Sequence, residues 1–323
     1  MKRRFAERAT LMCLPAAAAL AVLACPAYAA PSAAPGGTHP SAADTLSPST
    51  RADLDTAMGG EAYAHASYTF YAAQADREGL VATGRLYRET AAVELGEHFR
   101  EEADLAGVIG SDVDNLRAAI AGETYETTVM YPTFAREAAA DGDDNAAALF
   151  TEIAKDEGDH LAAYQAALKA IETGHGTIPA PPAVDPVDVP AGGPQVRSAR
   201  TKANLDTALH GEALAHARYT VFADHAAAGG RPELARLFHG ISRVELHEHF
   251  AGEAVLYGLV SDTRANLIKS ITGELYEAEV MYPSFARRAP AAGDYQAARL
   301  FRDNAADEAG HARAFQRMLG HPR

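Results

Sequence analysis

Apolar and alanine positions recur every three or four residues along most of this chain, the period of helices that bury one face. In the first half the periodic stretches cover residues 51–78, 82–106, 113–140 and 144–172, and Gly79, Gly107 and Gly142 fall in the breaks between them, where helices end. The second half repeats the pattern, with Gly229-Gly230, Gly258 and Gly293 in the breaks. NLRAAIAGETYETTVMYPTFAREAAADGD in one half faces NLIKSITGELYEAEVMYPSFARRAPAAGD in the other without a gap, so the chain is a duplication. The pattern predicts an all-α protein of two four-helix repeats, at 51–173 and 199–323. Residues 30–50 and 174–198, the latter with Pro179, Pro181, Pro182, Pro186, Pro190 and Pro194, are too rich in Pro and small residues to build a core and read as linkers.

Composition adds exclusions. The 323 residues carry 43 acidic against 29 basic side chains, a formal charge of -14, with no Lys/Arg-rich stretch beyond the first eight positions. Nucleic acid and anionic membrane surfaces are therefore not expected partners. Residues 1–29 have the form of a signal peptide, with MKRRFAER, a short apolar run broken by Pro15, and the small-residue site Ala27-Tyr28-Ala29. Export to a periplasmic, cell-envelope or extracellular site follows. Val22-Leu23-Ala24-Cys25 also resembles a lipobox, and membrane attachment is expected only if Cys25 is lipidated. Arg3-Arg4 fits a twin-arginine signal poorly. Cys13 and Cys25 are the only cysteines, so any metal in the body of the protein is held by oxygen and nitrogen.

The candidate ligands repeat with the helices. The first helix of each half gives Glu61 or Glu212, the second Glu94 or Glu245, the third Glu123 and Glu126 or Glu274 and Glu277, and the fourth Glu157 and His160 or Glu308 and His311. All six pairs keep a separation of 151 residues. Residues three apart share a helix face, so each Glu-x-x-Glu or Glu-x-x-His can reach one point inside a bundle. A lone Glu on an amphipathic helix is ordinarily solvated; four such positions in helical order, twice over, are not. Carboxylates gathered in a dry interior need cations, and a thiolate-free, carboxylate-rich set suits iron or manganese.

GEAYAHASYTFYAAQADREG, the Glu of the second helix, GETYETTVMYPTFA and DEGDH together resemble the di-iron domain of rubrerythrins across nearly all of each half. The resemblance implies two ferritin-like bundles, two di-iron centres with manganese as the other candidate metal, and reduction of hydrogen peroxide. It makes Glu61, Glu94, Glu123, Glu126, Glu157, His160 and their partners Glu212, Glu245, Glu274, Glu277, Glu308 and His311 the ligands. Rubrerythrins commonly carry Glu-x-x-His on the second helix, with a His that exchanges with a Glu of the third as iron changes redox state. An ungapped alignment puts Glu97 and Glu248 at that position, as a seventh ligand or a base beside the metals. His98 and His249 then fall about 100° round the helix and are expected in surrounding or surface contacts. His65 and His216 are expected to brace or pack, and Tyr68, Tyr219, Tyr125, Tyr276, Tyr131 and Tyr282 to lie in the core. The four cysteines of a rubredoxin-like domain do not occur in the sequence, so turnover calls for an external electron donor.

Glu94 and Glu123 are only 29 residues apart. In a ferritin-like bundle the chain must return along the bundle between these helices, across ~32 Å by helix rise, while the intervening residues span at most ~23 Å. We therefore expect helices one and two of each half to pack with helices three and four of the other, giving one site of Glu61, Glu94, Glu274, Glu277, Glu308 and His311. The functional expectation is an exported di-iron oxidoreductase consuming peroxide or oxygen while oxidising iron. The alternative is a ferritin-like protein that sequesters iron without sustained turnover, and a homodimer is compatible with either.

Overall fold

The computed structural model describes residues 46–321; the expected signal peptide, and the first linker up to residue 45, lie outside them. Among the described residues eight helices follow one another. Helix α1 is Pro48–Arg77; its cap, Ser47, accepts from the Thr50 N–H, and Pro48 opens the first turn, where its missing N–H costs nothing. Helix α2 joins Val81–Val93, Glu94–Phe99 and Arg100–Ala106, and α3 joins Asp112–Tyr125, Glu126–Met130 and Tyr131–Asp141. Helix α4 is Asp144–Thr173 and α5 is Ala199–Ala228, capped by Ser198. Helix α6 joins Pro232–Val244, Glu245–Phe250 and Ala251–Tyr257. Helix α7 joins Thr263–Tyr276, Glu277–Met281 and Tyr282–Arg288, ending in the 3-10 turn Ala289–Ala292, and α8 is Tyr295–Gly320. The middle segments of α2, α3, α6 and α7 are π-helical turns, a wider winding that often marks functional sites. All four begin at a glutamate already singled out as a ligand.

Helices α2 and α6 stop at Gly107 and Gly258, which take the left-handed conformation with φ of 69° and 73°, the usual glycine end to a helix. Too little chain follows for α3 to return beside α2. The apolar packing is accordingly crossed. Leu54 and Ala57 of α1 and Leu105 of α2 pack with Met281, Tyr282 and Phe285 of α7 and Phe301 of α8. Met130 and Tyr131 of α3 and Phe150 and Ile153 of α4 pack with Leu205 and Ala208 of α5 and Leu256 of α6. A central core lies along the seam, where Met58, Ala62 and Ala66 of α1 meet Leu209, Ala213 and Ala217 of α5. Small side chains let these two helices lie close, and the shared core makes the two bundles one body.

The Pro-rich linker does more than connect. It runs extended across α6, with Val187 N–H donating to the His247 carbonyl at 2.8 Å, Gly192 N–H to Val260 at 3.0 Å and Gln195 N–H to Leu256 at 2.8 Å. Val189, 1% exposed, joins the central core. Backbone groups paired to carbonyls of α6 and of Val260 just beyond it, with one anchoring valine, dock this segment onto the central core. No helix among the described residues is long and apolar enough to cross a membrane.

Candidate metal centres

The crossed packing gathers the acidic helix positions into two buried clusters. In the first, His98 Nδ1 lies 2.9 Å from Glu308 Oε1, 3.0 Å from Glu94 Oε2 and 3.6 Å from Glu61 Oε2. His311 Nδ1 lies 2.9 Å from Glu308 Oε2, 3.2 Å from Glu94 Oε1 and 3.4 Å from Glu274 Oε2. Glu94 and Glu308 thus turn one oxygen to each imidazole, while Glu61 and Glu274 sit at opposite ends. In the second cluster Glu245 and Glu157 lie between His249 and His160 in the same way, with Glu212 and Glu123 at the ends. Each cluster offers two four-residue positions whose candidate ligand atoms fall within 4.8 Å of one another. Each takes its side chains from both halves of the chain.

Glu277 and Glu126 complete the sets from the third helices without belonging to those tight groups. An added Cβ at Gly60 would sit 3.2 Å from Glu277 Oε1, and one at Gly211 3.8 Å from Glu126 Oε1. The glycine before each first-helix glutamate leaves room for the carboxylate across the bundle.

The structure corrects the second-helix expectation. Glu97 is exposed, and Glu248 is half-buried and accepts from Asp185 N–H at 2.7 Å; neither enters a cluster, whereas His98 and His249 are buried at the centre of theirs. A position four residues on from Glu94 or Glu245 faces the same way as one three residues on, and the π turn, with its extra residue, carries the intervening glutamate outward. The Nε2 atoms of His98 and His249 point toward Asp307 and Asp156, at 3.7 and 3.9 Å.

The tyrosines also serve the clusters rather than the core alone. Tyr68 donates to Glu274, Tyr219 to Glu123 at 2.7 Å, Tyr282 to Glu61 and Tyr131 to Glu212. Tyr276, by contrast, is 44% exposed. His65 and His216 face each other across the seam, Nε2 to Nε2 at 3.3 Å, each with Nδ1 2.7 Å from a backbone carbonyl, of Ala91 and Ser242. They pack against each other and brace no cluster residue, so of the two expected roles packing is the one the structure has. Two glutamates escaped the sequence reading. Glu102 and Glu253 are fully buried, and Tyr282 and Tyr131 also reach their Oε1 atoms at 2.8 and 2.9 Å. The 151-residue spacing they share was the signal that could have found them.

Burial dominates the electrostatics. It pushes the carboxyls of Glu61, Glu123, Glu126, Glu274 and Glu277 well above their ordinary range, reinforced by neighbouring carboxylates such as Glu308 and Glu157, and Glu212 up to about 8. Burial opposes charge on the imidazoles too, yet the surrounding glutamates overcome it, raising His160 to about 10, His311 to about 12 and His98 and His249 well above the usual value. Such a site holds protons where cations would relieve it. Neither oxygen of Glu94 or Glu245, and neither ring nitrogen of His98 or His249, has a hydrogen-bond partner among the described residues, although they approach one another closely. Donor atoms that converge without pairing fit a pair of hard cations at each cluster.

Comparison with known proteins agrees with this geometry. The rubrerythrin family model matches residues 53–168 and 244–319. The chain is 41% identical to a rubrerythrin of Porphyromonas gingivalis over 138 residues, 39% of this chain and 68% of the relative. It is 37% identical to rubrerythrin-1 of Clostridium acetobutylicum over 139 residues, 38% of this chain and 71% of the relative. It is 35% identical to nigerythrin of Nitratidesulfovibrio vulgaris over 137 residues, 38% and 68% of the two chains.

Proposed function

The chain belongs to the rubrerythrin family, and from that premise we propose that it is an oxidoreductase that reduces hydrogen peroxide, with oxygen as the second candidate oxidant, at two di-iron centres. The observation that carries this reading is the pair of imidazole-and-carboxylate positions in each cluster, bridged by Glu94 and Glu308 in one and by Glu245 and Glu157 in the other. Two irons held at a centre would supply the two electrons that convert one peroxide, with two protons, into two waters. Around them, the bridging glutamates fix the spacing of the two positions, and the tyrosine hydroxyls orient the terminal carboxylates. The buried surroundings exclude bulk water from the reacting atoms. Turnover would call for an electron donor outside the described residues.

The iron-sequestering alternative drew on a carboxylate in place of the second-helix histidine and on the missing electron-transfer domain. With His98 and His249 in the clusters and Glu97 and Glu248 outside them, the first ground falls away, and the second is met in this reading by an external donor. Manganese remains chemically compatible with the ligand set. The N-terminal sequence supports export as part of the same proposal.

The test is peroxide consumption by iron-loaded protein with a supplied reductant, beside a Glu308→Ala, Glu157→Ala variant. We expect sustained consumption by the parent and loss in the variant. Consumption equal to that of free iron in both would overturn the reading.

A further inference from the structure

Tyr282 and Tyr131 pose a problem of proton counting. Each hydroxyl lies against two carboxyl oxygens, Tyr282 against Glu61 Oε1 and Glu102 Oε1, and Tyr131 against Glu212 Oε1 and Glu253 Oε1. A phenol has one proton to give. If it goes to one carboxylate, the other contact is favourable only when the second carboxyl carries its own proton and donates to the phenol oxygen. Glu61 and Glu212 turn their other oxygens toward the imidazoles of His98 and His249, each at 3.6 Å, whereas the other oxygens of Glu102 and Glu253 face no such cation. The extra proton therefore belongs to Glu102 and Glu253.

Two further observations agree. Both residues are 0% exposed, and the second oxygen of each, Oε2, is buried with no hydrogen-bond partner among the described residues. An ionised carboxylate with one oxygen unpaired in a dry interior costs several kcal/mol, about what neutralisation avoids. The arrangement occurs twice, from residues 151 positions apart.

We propose that Glu102 and Glu253 are buried proton donors, one per centre, which act on the cluster through Tyr282 and Tyr131. In the step they perform, the Glu102 Oε1–H bond breaks and its proton passes to Tyr282 Oη. The original Tyr282 proton passes to Glu61 Oε1, leaving Glu102 a carboxylate and Tyr282 unchanged. Electrons are not involved; the proton is one of the two that peroxide reduction consumes. This rests on the proposed function for its purpose, but the protonation itself does not. Burial raises Glu102 to about 8 and Glu253 well above its ordinary value. The charged and titratable groups facing Glu102 are Tyr282, His98 and Glu308, and those facing Glu253 are Glu212, Tyr131, His249 and Glu157.

The two centres are not identical. Asn304 Nδ2 donates to Glu102 Oε1 at 2.9 Å, whereas the position 151 residues earlier is Ile153, which has no group to donate. The amide steadies the Glu102 carboxylate after its proton leaves, so Glu102 gives up its proton more readily than Glu253.

The experiment uses the full chain and the variants Glu102→Gln and Glu253→Gln, singly and together, since glutamine keeps the shape and can donate to tyrosine but has no proton to pass on. Infrared difference spectra of parent against double variant, at neutral pH in water and in D2O, read the carbonyl stretch of protonated carboxyls in metal-free and iron-loaded protein. A deuterium-sensitive band present in the parent and lost in the double variant is expected in both states. Its absence from either overturns the proposal. With diferrous protein and peroxide, Glu102→Gln is expected to split oxidation into two equal phases, one at the parent rate and one about 100-fold slower. A single phase at the parent rate in both single variants also overturns it. If iron fails to load, the proposed activity falls, while the band of the metal-free chain still decides whether these carboxyls hold protons.

Discussion

Glu94 turns its two oxygens to the two imidazoles of one cluster, and Glu308 does the same from the opposite bundle face, whereas Glu61 and Glu274 each sit beside one. Glu94→Ala should therefore empty both positions of the first centre and halve the iron bound per chain, and Glu61→Ala should weaken one position only; metal analysis after gel filtration reads the difference. His98→Ala should cost iron affinity at that centre at least the about 10- to 100-fold that losing a ligand's bracing partner costs, while Glu97→Gln should leave it unchanged. Equal effects would return Glu97 to the site. At the seam, burial and then His65 push His216 down from 6.5 to about 3. The unfolded chain takes up this proton near pH 6.5 and the native chain only near 3, so between them the unfolded state binds more protons and stability falls as pH falls. At pH 5 the loss is about 2 kcal/mol. Urea unfolding of metal-free His216→Leu between pH 7 and 5 should show a shallower pH slope than the parent. Much at this scale was legible beforehand: the twelve glutamates and histidines stand out by their 151-residue repeat, and the structure gathers ten of them into the two clusters, with Glu277 and Glu126 beside them. The exchange of Glu97 for His98 could not be read in this way, because it depends on a π turn that no local residue preference announces. Glu102 and Glu253 were hidden among the other glutamates of their helices, without the x-x spacing that marks a pair.

At the scale of elements, the π turns set which side chains face inward, and α2 pays for its own turn with Gly96, exposed and with nothing within 4 Å of an added Cβ. The second half has His247 there. Gly96→Ala should stabilise the protein by about 0.5–1 kcal/mol through reduced backbone entropy, with iron content unchanged; thermal melts of metal-free protein check it. The linker is the element that sequence patterning describes least well. Its prolines and small residues signal only that it cannot fold alone, whereas its place depends on carbonyls of α6 and of the residues just after it. At Gly240 an added Cβ would lie 2.1 Å from that of Pro181. Gly240→Ala should lift the linker locally, seen as faster proteolysis between residues 174 and 198, without loss of either metal centre.

Over the whole molecule, the short α2–α3 connection governs the architecture. Chain reach could be computed from the sequence because rise per residue is fixed, and the crossed packing of the described residues has the arrangement that reach demands. The helix boundaries needed only small adjustments, since glycines mark the breaks. Because each cluster draws on both halves, a half expressed alone lacks the partners of its own ligands. The most direct test of this account is anaerobic ferrous loading of the full chain, followed by metal analysis and Mössbauer spectroscopy before and after peroxide. Two dinuclear centres predict about four irons per chain, all in coupled pairs once oxidised. Two or fewer irons, or iron that stays uncoupled after peroxide, would contradict it.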